Sequence, residues 1–172
     1  MNALPPRIRG LLLAGVGALA AALVFAGSAA AIAPVQITLK EPEKGSTFTF
    51  IDNPPTAPKV HGFPTKFSPG DEFVSTSPLV ENGKTVGKLR ARCTATAAAG
   101  TSNKNAFVNA HFICEGVFTI DGSSLFGSAT VVKGGTRGVI TGGTGEFANA
   151  RGTFISKEGK GGSTTTISLG GE

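Results

Sequence analysis

The chain has 172 residues, among them 16 lysines and arginines, 11 aspartates and glutamates, and neither tryptophan nor tyrosine. The basic residues are scattered, so the composition lacks the clustered positive charge and the large stacking side chains that nucleic-acid binding requires. The length suits one domain with a core of its own.

The N-terminal 31 residues predict a secretory signal peptide. Arg7 and Arg9 form its basic region, residues 11–26 its apolar region, and residues 28–31 a small-residue cleavage site. The apolar run of about 16 residues is shorter than a membrane-spanning helix needs, although an uncleaved N-terminal anchor is the alternative. We therefore expect one exported domain over residues 32–172, secreted or associated with the cell envelope.

Short alternating runs open this domain. Residues 35–39 and 46–51 alternate apolar and polar side chains, which predicts half-buried strands. Residues 52–70 contain five prolines, and this composition predicts a long ordered loop with one short extended piece near Val60. A loop of this length is either functional or a solvated crossover.

Two tight hairpins are expected further along. Asn82-Gly83 separates residues 73–80 from residues 85–94, and Asp121-Gly122 precedes another β-type run at residues 125–132. Asn-Gly and Asp-Gly between such runs are strong hairpin patterns.

The two cysteines suggest a third strand pair. A hairpin centred just after Asn103 places Cys93 opposite Cys114 and, on the other face, Arg92 opposite Glu115. Cysteines that face each other across adjacent antiparallel strands are close enough to bond, and an even number of cysteines in an exported domain favours a disulfide. We expect a structural disulfide between them and an exposed ion pair beside it.

Residues 138–154 read GVITGGTGEFANARGTF. The glycines at 142, 143 and 145 predict a sharp reversal or a close approach of backbones between β-type runs at 139–141 and 146–148, with another strand at 153–156. No sustained helical period follows residue 33, and eight or so short strands separated by Gly, Asn and Asp turns predict an all-β barrel or sandwich.

Two stretches resemble one group of barrel proteins. Gly-Gly-Thr-Gly followed by an aromatic residue and Ala-Arg-Gly resembles a signature of dirigent proteins, and the preceding Val-Ile-Thr-Gly-Gly resembles that of allene oxide cyclases. Upstream, Gly70-Asp71, a strand, Val86-Gly87 and then Cys93 are similar to the cyclase pattern. The resemblance implies an eight-stranded antiparallel β-barrel, often a homotrimer in those families.

The resemblance also implies a function. Both families hold a reactive organic molecule in an apolar cavity and steer its cyclisation, isomerisation or coupling, so we expect a small hydrophobic ligand or substrate and isomerase-like chemistry. A non-catalytic carrier of a small hydrophobic ligand, or a structural envelope protein with a filled barrel, are the alternatives.

Three residues are candidates for chemistry. Arg151, in the Ala-Arg-Gly motif, could hold an oxygen or anion of a substrate, or form a structural salt bridge. Asp71 resembles the Gly-Asp of the cyclases, and there a turn-capping role is favoured over catalysis. Asp52, which follows residues 48–51, roughly resembles an aspartate of the dirigent proteins, and this resemblance makes it an acid/base candidate. Glu41 and Asn53 are nearest in kind to an acidic residue and an asparagine of the cyclases, but their spacing does not align, so no role is transferred to them.

Phenylalanines supply the expected ligand contacts, with Phe112, Phe126 and Phe154 as candidates for the cavity wall. His61 and His111 are too few and too isolated to indicate a metal site. No Gly-x-Ser-x-Gly elbow is present, and nothing in the sequence indicates a cofactor.

Overall fold

The structure is a computed structural model that describes residues 35–53, 59–60, 63–102 and 105–170. These residues belong to one compact unit that begins at Ala31. The predicted signal peptide and parts of the proline-rich loop lie outside the described residues.

The described chain is almost entirely β-structure. Its strands are β1 (Val35–Pro42), β2 (Thr47–Ile51), β3 (Lys59–Val60), β4 (Phe63–Pro64), β5 (Lys66–Phe67), β6 (Glu72–Glu81), β7 (Lys84–Ala95), β8 (Ala99–Gly100), β9 (Phe112–Ile120), β10 (Ser123–Val132), β11 (Gly135–Thr144), β12 (Gly152–Gly159) and β13 (Gly162–Leu169). A single helical turn, α1 (Ala106–Asn109), and a 3₁₀ turn over Gly145–Phe147 are the helical elements of this part of the chain.

Eight of these strands form a closed antiparallel barrel. They follow one another in the order β1, β13, β12, β11, β10, β9, β7 and β6, and pairing of Lys40 with Val80 joins β1 to β6. After a bend closed by a hydrogen bond from the Ser46 amide to the Glu43 carbonyl, the chain continues as β2, which pairs with β6 alone. The all-β, eight-stranded barrel expected from the sequence is confirmed.

The two tight hairpins have the backbone that their sequences predict. Asn82 and Gly83 have φ angles of 49° and 79°, and Asp121 and Gly122 have 45° and 84°. Successive left-handed residues match the twist of two-residue β-hairpins, and Asn, Asp and Gly adopt them at least cost. Both turns therefore fix the register of the strands they join.

Strands β7 and β9 pair in the expected register, with Cys93 opposite Cys114 and Arg92 opposite Glu115. The cysteines form a disulfide, with Cα atoms 3.9 Å apart. The connection between the strands is not a simple hairpin, because β8 and α1 lie within it. The ion pair also differs from the expected one: Arg92 donates two hydrogen bonds to the carboxylate of Glu72 on β6, the Nε–Oε2 distance being 3.0 Å.

The glycine-rich stretch follows only part of the expectation. The close approach of backbones is confirmed at Gly143, and the sharp reversal at Gly142 and Gly143 is wrong, because β11 runs on through both residues to Thr144. The predicted strand at 146–148 is also wrong, because residues Gly145–Phe147 form a 3₁₀ turn and Gly145 takes a φ of 61°. A Cβ on Gly143 would lie 2.3 Å from the Phe147 carbonyl oxygen, so glycine here permits close approach of two backbones.

One wall of the barrel carries an aromatic cluster. Phe67 is buried, and its ring centroid lies 5.4 Å from that of Phe50, 5.0 Å from that of Phe107 and 5.2 Å from that of Phe112. Phe67 comes from the C-terminal part of the proline-rich loop, where β5 pairs with β8. The described end of this loop is thus packed onto the barrel instead of lying free in solvent.

Candidate functional site

A cavity of about 350 Å³ lies inside the barrel. Successive residues of a strand point to opposite sides of the sheet, so each barrel strand contributes alternate residues to this interior. The cavity has two chemically different sides.

The apolar side comes from β2, β6, β7, β9, β10 and β12. It includes the aromatic residues Phe48, Phe73, Phe118 and Phe154, with Leu89, Ala129 and the Cys93–Cys114 disulfide between them. Phe48 and Phe73 are stacked, with ring centroids 4.8 Å apart. Phe118 and Phe154 are buried, whereas Phe48 is 43% exposed, so this side offers an organic molecule an apolar surface that is partly open to solvent at Phe48.

Two glycines, Gly127 and Gly138, leave room for the ring of Phe154. A Cβ built on Gly138 would lie 2.5 Å from Cε1 of Phe154, and one on Gly127 would lie 3.0 Å from the same atom. Side chains at these positions would force the ring to move. The glycines therefore set where the apolar side of the cavity lies.

The polar side comes from β1, β11, β12 and β13. Its polar members are Glu41, Thr136, Ser156, Glu158, Ser163 and Thr165. Most of this surface consists of hydroxyl groups, which can both donate and accept hydrogen bonds.

Glu41 is the buried acid of the cavity wall. Its residue is 9% exposed, and Oε1 accepts a hydrogen bond from the hydroxyl of Thr165, which is fully buried. Burial raises the pKa of the Glu41 carboxyl above its ordinary value, while hydrogen bonds from Thr165 and Ser163 oppose that rise. The site thus contains a carboxyl group that takes up a proton more readily than a carboxyl in water.

The sequence-predicted residues Arg151, Asp71 and Asp52 are not among the residues that line this cavity. Arg151 is exposed, and its guanidinium donates a hydrogen bond to the Ala150 carbonyl at 2.9 Å. It lies instead in a surface groove with Glu146 and Phe147. Asp52 is buried at the end of β2. The catalytic roles of these residues stay predictions.

Asp71 is fully buried and bonded to the chain around it. Its Oδ1 accepts hydrogen bonds from the Asn53 amide at 2.9 Å and the Ser68 hydroxyl at 3.1 Å, and Oδ2 accepts one from the Ser68 amide at 2.7 Å. These contacts are those of a turn-capping residue, the role that the sequence favoured. They tie both ends of the proline-rich loop to the start of β6.

The three candidate ligand-contacting phenylalanines are separated by the fold. Phe154 lines the cavity. Phe112 is fully buried in the aromatic cluster, 5.1 Å from the ring of Phe73, which does line the cavity. Phe126 is 40% exposed and lies in a shallow depression on the outer face with Val74 and Val117.

Sequence reasoning missed the part that Glu41 plays. A pattern for it was present, because Ile37, Leu39 and Glu41 occupy alternate positions of β1 and therefore face the same side. An acid on the apolar side of a strand costs free energy unless it is paired or functional. Thr165 and Ser163 carried no comparable pattern, since hydroxyl residues are common in strands.

Metal sites and membrane-spanning helices are two further features that would bear on function. Among the described residues, no group of three or more His, Cys, Asp or Glu side chains is placed to hold a metal ion. Within those ranges, no helix has the length and apolar character needed to cross a bilayer.

Together, the closed antiparallel sheet and the interior cavity define a cavity-containing β-barrel protein. No protein-family model and no curated protein matches the sequence. Among solved structures, the chain is similar to a pyocyanin demethylase, with a TM-score of 0.58 and 22% identity over 78% of this chain and 99% of the other. At that identity the similarity supports the barrel fold, and the finer assignment to the allene oxide cyclase and dirigent group stays a prediction.

Proposed function

We propose that the barrel binds a small organic molecule with an apolar body and at least one polar group inside its cavity. The observation that carries this proposal is the two-sided wall, with stacked phenylalanines on one side and Glu41 among hydroxyl residues on the other. Ligand pockets in proteins typically combine a mostly apolar lining with a few placed polar groups.

The size of the cavity fits this function. A volume of about 350 Å³ is at the lower end of the range for small-molecule sites. Burial of each Å² of apolar ligand surface contributes about 25 cal/mol, so a molecule that covers the phenylalanine wall gains most of its affinity there. A structural barrel with a filled interior would not leave such a space.

Guided isomerisation, cyclisation or coupling of the bound molecule is the second candidate function. Glu41 favours it, because burial raises the pKa of its carboxyl, and a carboxyl that holds a proton more readily than one in water can donate that proton to a bound ligand and take it back. A cavity that holds one conformation of a reactive molecule supplies selectivity by positioning alone. In this form of the proposal Glu41, and not Asp52, is the acid/base group.

The experiment is a thermal-shift and native mass spectrometry screen of the mature protein against small aromatic and alicyclic compounds. Because a solved structure with this fold is a pyocyanin demethylase, pyocyanin belongs in the panel. A compound that binds the folded protein raises its Tm, and the stabilisation grows with the logarithm of the ratio of free ligand to Kd.

A cavity-filling variant makes the screen specific. Ala129 lines the cavity, whereas Val139 is 49% exposed on the outer face. We expect Ala129→Leu to weaken binding at least tenfold and Val139→Leu to leave it unchanged. Failure of every compound to raise the Tm at high excess would contradict the proposal, as would equal binding by the two variants.

Export and assembly complete the proposal. We propose that residues 1–31 are removed as a signal peptide, which agrees with a disulfide in the domain. The mass of the protein recovered from the culture medium or cell envelope tests this. We also propose a homotrimer, supported by exposed apolar side chains such as Val139 and Ile155 on the outer face, and a monomer in light scattering would contradict it.

A further inference from the structure

The charges around the cavity are of one sign. The ionisable side chains among its described lining residues are Glu41, Glu115 and Glu158, and no Lys, Arg or His is among them. Glu115 is exposed and interacts electrostatically with Arg92 outside the barrel. Glu158 is exposed as well. Glu41 is therefore the buried acid that a bound molecule meets, and Glu158 adds negative charge on a neighbouring, open part of the polar side.

Glu41 has hydroxyl partners but no cation. Its hydrogen bonds come from Thr165 and Ser163. Among the described residues the ion pair of this structure is Arg92–Glu72, on another part of the barrel. Buried acids in proteins are usually paired with a positive group or a metal ion, because an isolated buried charge is costly. Because Glu41 lines the cavity, a cation that paired with it would lie in the cavity.

We propose that the natural ligand of the cavity is an organic weak base, an aromatic or alicyclic amine that binds as a cation with its charged nitrogen at Glu41. This inference rests on the proposed binding function and specifies its ligand class. The ammonium group donates to the carboxylate and to the hydroxyl oxygens beside it, and the hydrocarbon body lies on the phenylalanine side.

The charge of the lining favours a cation over an anionic molecule. An anion would meet Glu41 and Glu158 without any basic side chain in the lining to offset their repulsion. Like-charge contact in a site of low dielectric is strongly unfavourable.

The test uses three probes of nearly equal shape: 1-naphthylmethylamine, 1-naphthalenemethanol and 1-naphthoate. Their Kd values are measured by isothermal titration calorimetry at pH 7 with the mature, disulfide-bonded protein. We expect the amine to bind about tenfold or more tightly than the alcohol, as a close charge pair in a binding site implies. The carboxylate should bind weakest.

Glu41→Gln is the decisive variant, because the amide keeps the shape and can still accept the Thr165 hydrogen bond while the charge is removed. It should reduce the preference for amine over alcohol to less than about threefold, since a tenfold preference corresponds to one charge pair. Glu146→Gln removes a carboxylate from the outer groove instead and should keep the wild-type preference.

Each outcome tests a different part of the inference. Equal binding of amine and alcohol to the wild type overturns the weak-base inference and leaves the binding function in place, and this comparison needs no variant. An amine preference that survives Glu41→Gln overturns the role of Glu41. Absence of binding by all three probes overturns the inference together with the proposed function.

Discussion

The hydroxyl of Thr165 donates a hydrogen bond to Oε1 of Glu41 inside the barrel, although the two residues are 124 positions apart in the chain. Pairing of β1 with β13 brings them together, because Glu41 lies opposite Ser163 and Thr165 is the next inward-facing residue of β13. The bond therefore depends on closure of the sheet around the cavity. The same hydrogen bond thus belongs both to the closed sheet and to the polar side of the cavity.

Replacement of Thr165 by valine should weaken the fold. Valine keeps the β-branched shape but leaves the buried carboxyl without its donor, and such a loss costs about 1–3 kcal/mol. We expect the free energy of unfolding from urea titrations at pH 7 to fall by that amount. Thr164→Val, at an exposed position of the same strand, should change it by no more than about 0.5 kcal/mol. Equal effects of the two substitutions would show that the hydrogen bond contributes nothing.

The raised pKa of Glu41 predicts a dependence of stability on pH. Since the folded protein holds the proton more tightly than the unfolded chain, Glu41 contributes its full stabilisation below its ordinary pKa of 4.5, and the contribution falls as the pH rises through the higher folded-state pKa. Each unit of difference corresponds to about 1.4 kcal/mol.

Glu41→Gln removes this titration and isolates its effect. The difference in unfolding free energy, wild type minus Glu41→Gln, should become steadily less favourable to the wild type as the pH rises from about 4.5, the onset set by the ordinary pKa. Chemical denaturation at several pH values between about 4 and 8 measures it, a range that spans the ordinary pKa of a carboxyl and neutrality. A difference that does not vary with pH, or that varies in the opposite direction, would contradict the raised pKa.

The disulfide should stabilise the barrel, but the barrel should also form without it. A loop closed between Cys93 and Cys114, separated by 21 positions, gains about 3 kcal/mol from the restricted unfolded chain. The register of β7 and β9 is also held by pairing all the way from Gly87 to Ala95. We therefore expect Cys93→Ala/Cys114→Ala to fold to the same far-ultraviolet circular dichroism spectrum and to unfold at lower guanidinium concentration.

A reductant provides the control for the disulfide prediction. It should lower the unfolding midpoint of the wild type and have no effect on the double variant, which has no disulfide to reduce. A wild-type midpoint that is insensitive to complete reduction would show that the disulfide does not contribute to stability.

Most of the barrel can be predicted from the sequence, because the patterns that specify it involve residues adjacent in the chain or a single pair of residues. Asn82-Gly83 requires a left-handed turn at one place, and the two cysteines select one register of β7 and β9. The cavity is different, because Glu41 and Thr165 become neighbours only after β1 has paired with the last strand. No local pattern relates these two residues.

The use of Gly142 and Gly143 is left open by the sequence for a similar physical reason. Consecutive glycines permit a tight turn, but they equally permit a strand to lie close against other backbone, and the sequence does not distinguish these uses. Here the Phe147 carbonyl and Ser124 lie where side chains at Gly143 would stand. The neighbours that decide the outcome belong to other elements.

Asp71 should be important for stability. Asp71→Asn replaces one acceptor oxygen by an amide group that cannot accept from the Ser68 or Asn53 amide. Loss of a hydrogen bond to a buried charged acceptor predicts a decrease of about 2–3 kcal/mol in the free energy of unfolding. Asp121→Asn is the matched control, because Asp121 is exposed and asparagine tolerates its left-handed backbone. If both variants unfold at the wild-type urea concentration, the hydrogen bonds of Asp71 do not contribute to the stability of the fold.

Arg151 provides the sharpest contrast with the buried acid. Its guanidinium is exposed and bonded to the neighbouring Ala150 carbonyl, and Arg151 lies in the outer groove rather than in the cavity lining. We therefore expect Arg151→Gln to leave the Kd of a cavity ligand within about twofold of the wild-type value, as for a surface charge outside the site. Glu41→Gln, measured with the same ligand and buffer, should change it at least tenfold if the ligand is an amine. Calorimetric titration of both variants at low and high salt separates a contact from a long-range field, because screening weakens only the latter. A loss of affinity in Arg151→Gln that persists at high salt would place the arginine in the binding site after all, as the Ala-Arg-Gly resemblance implies.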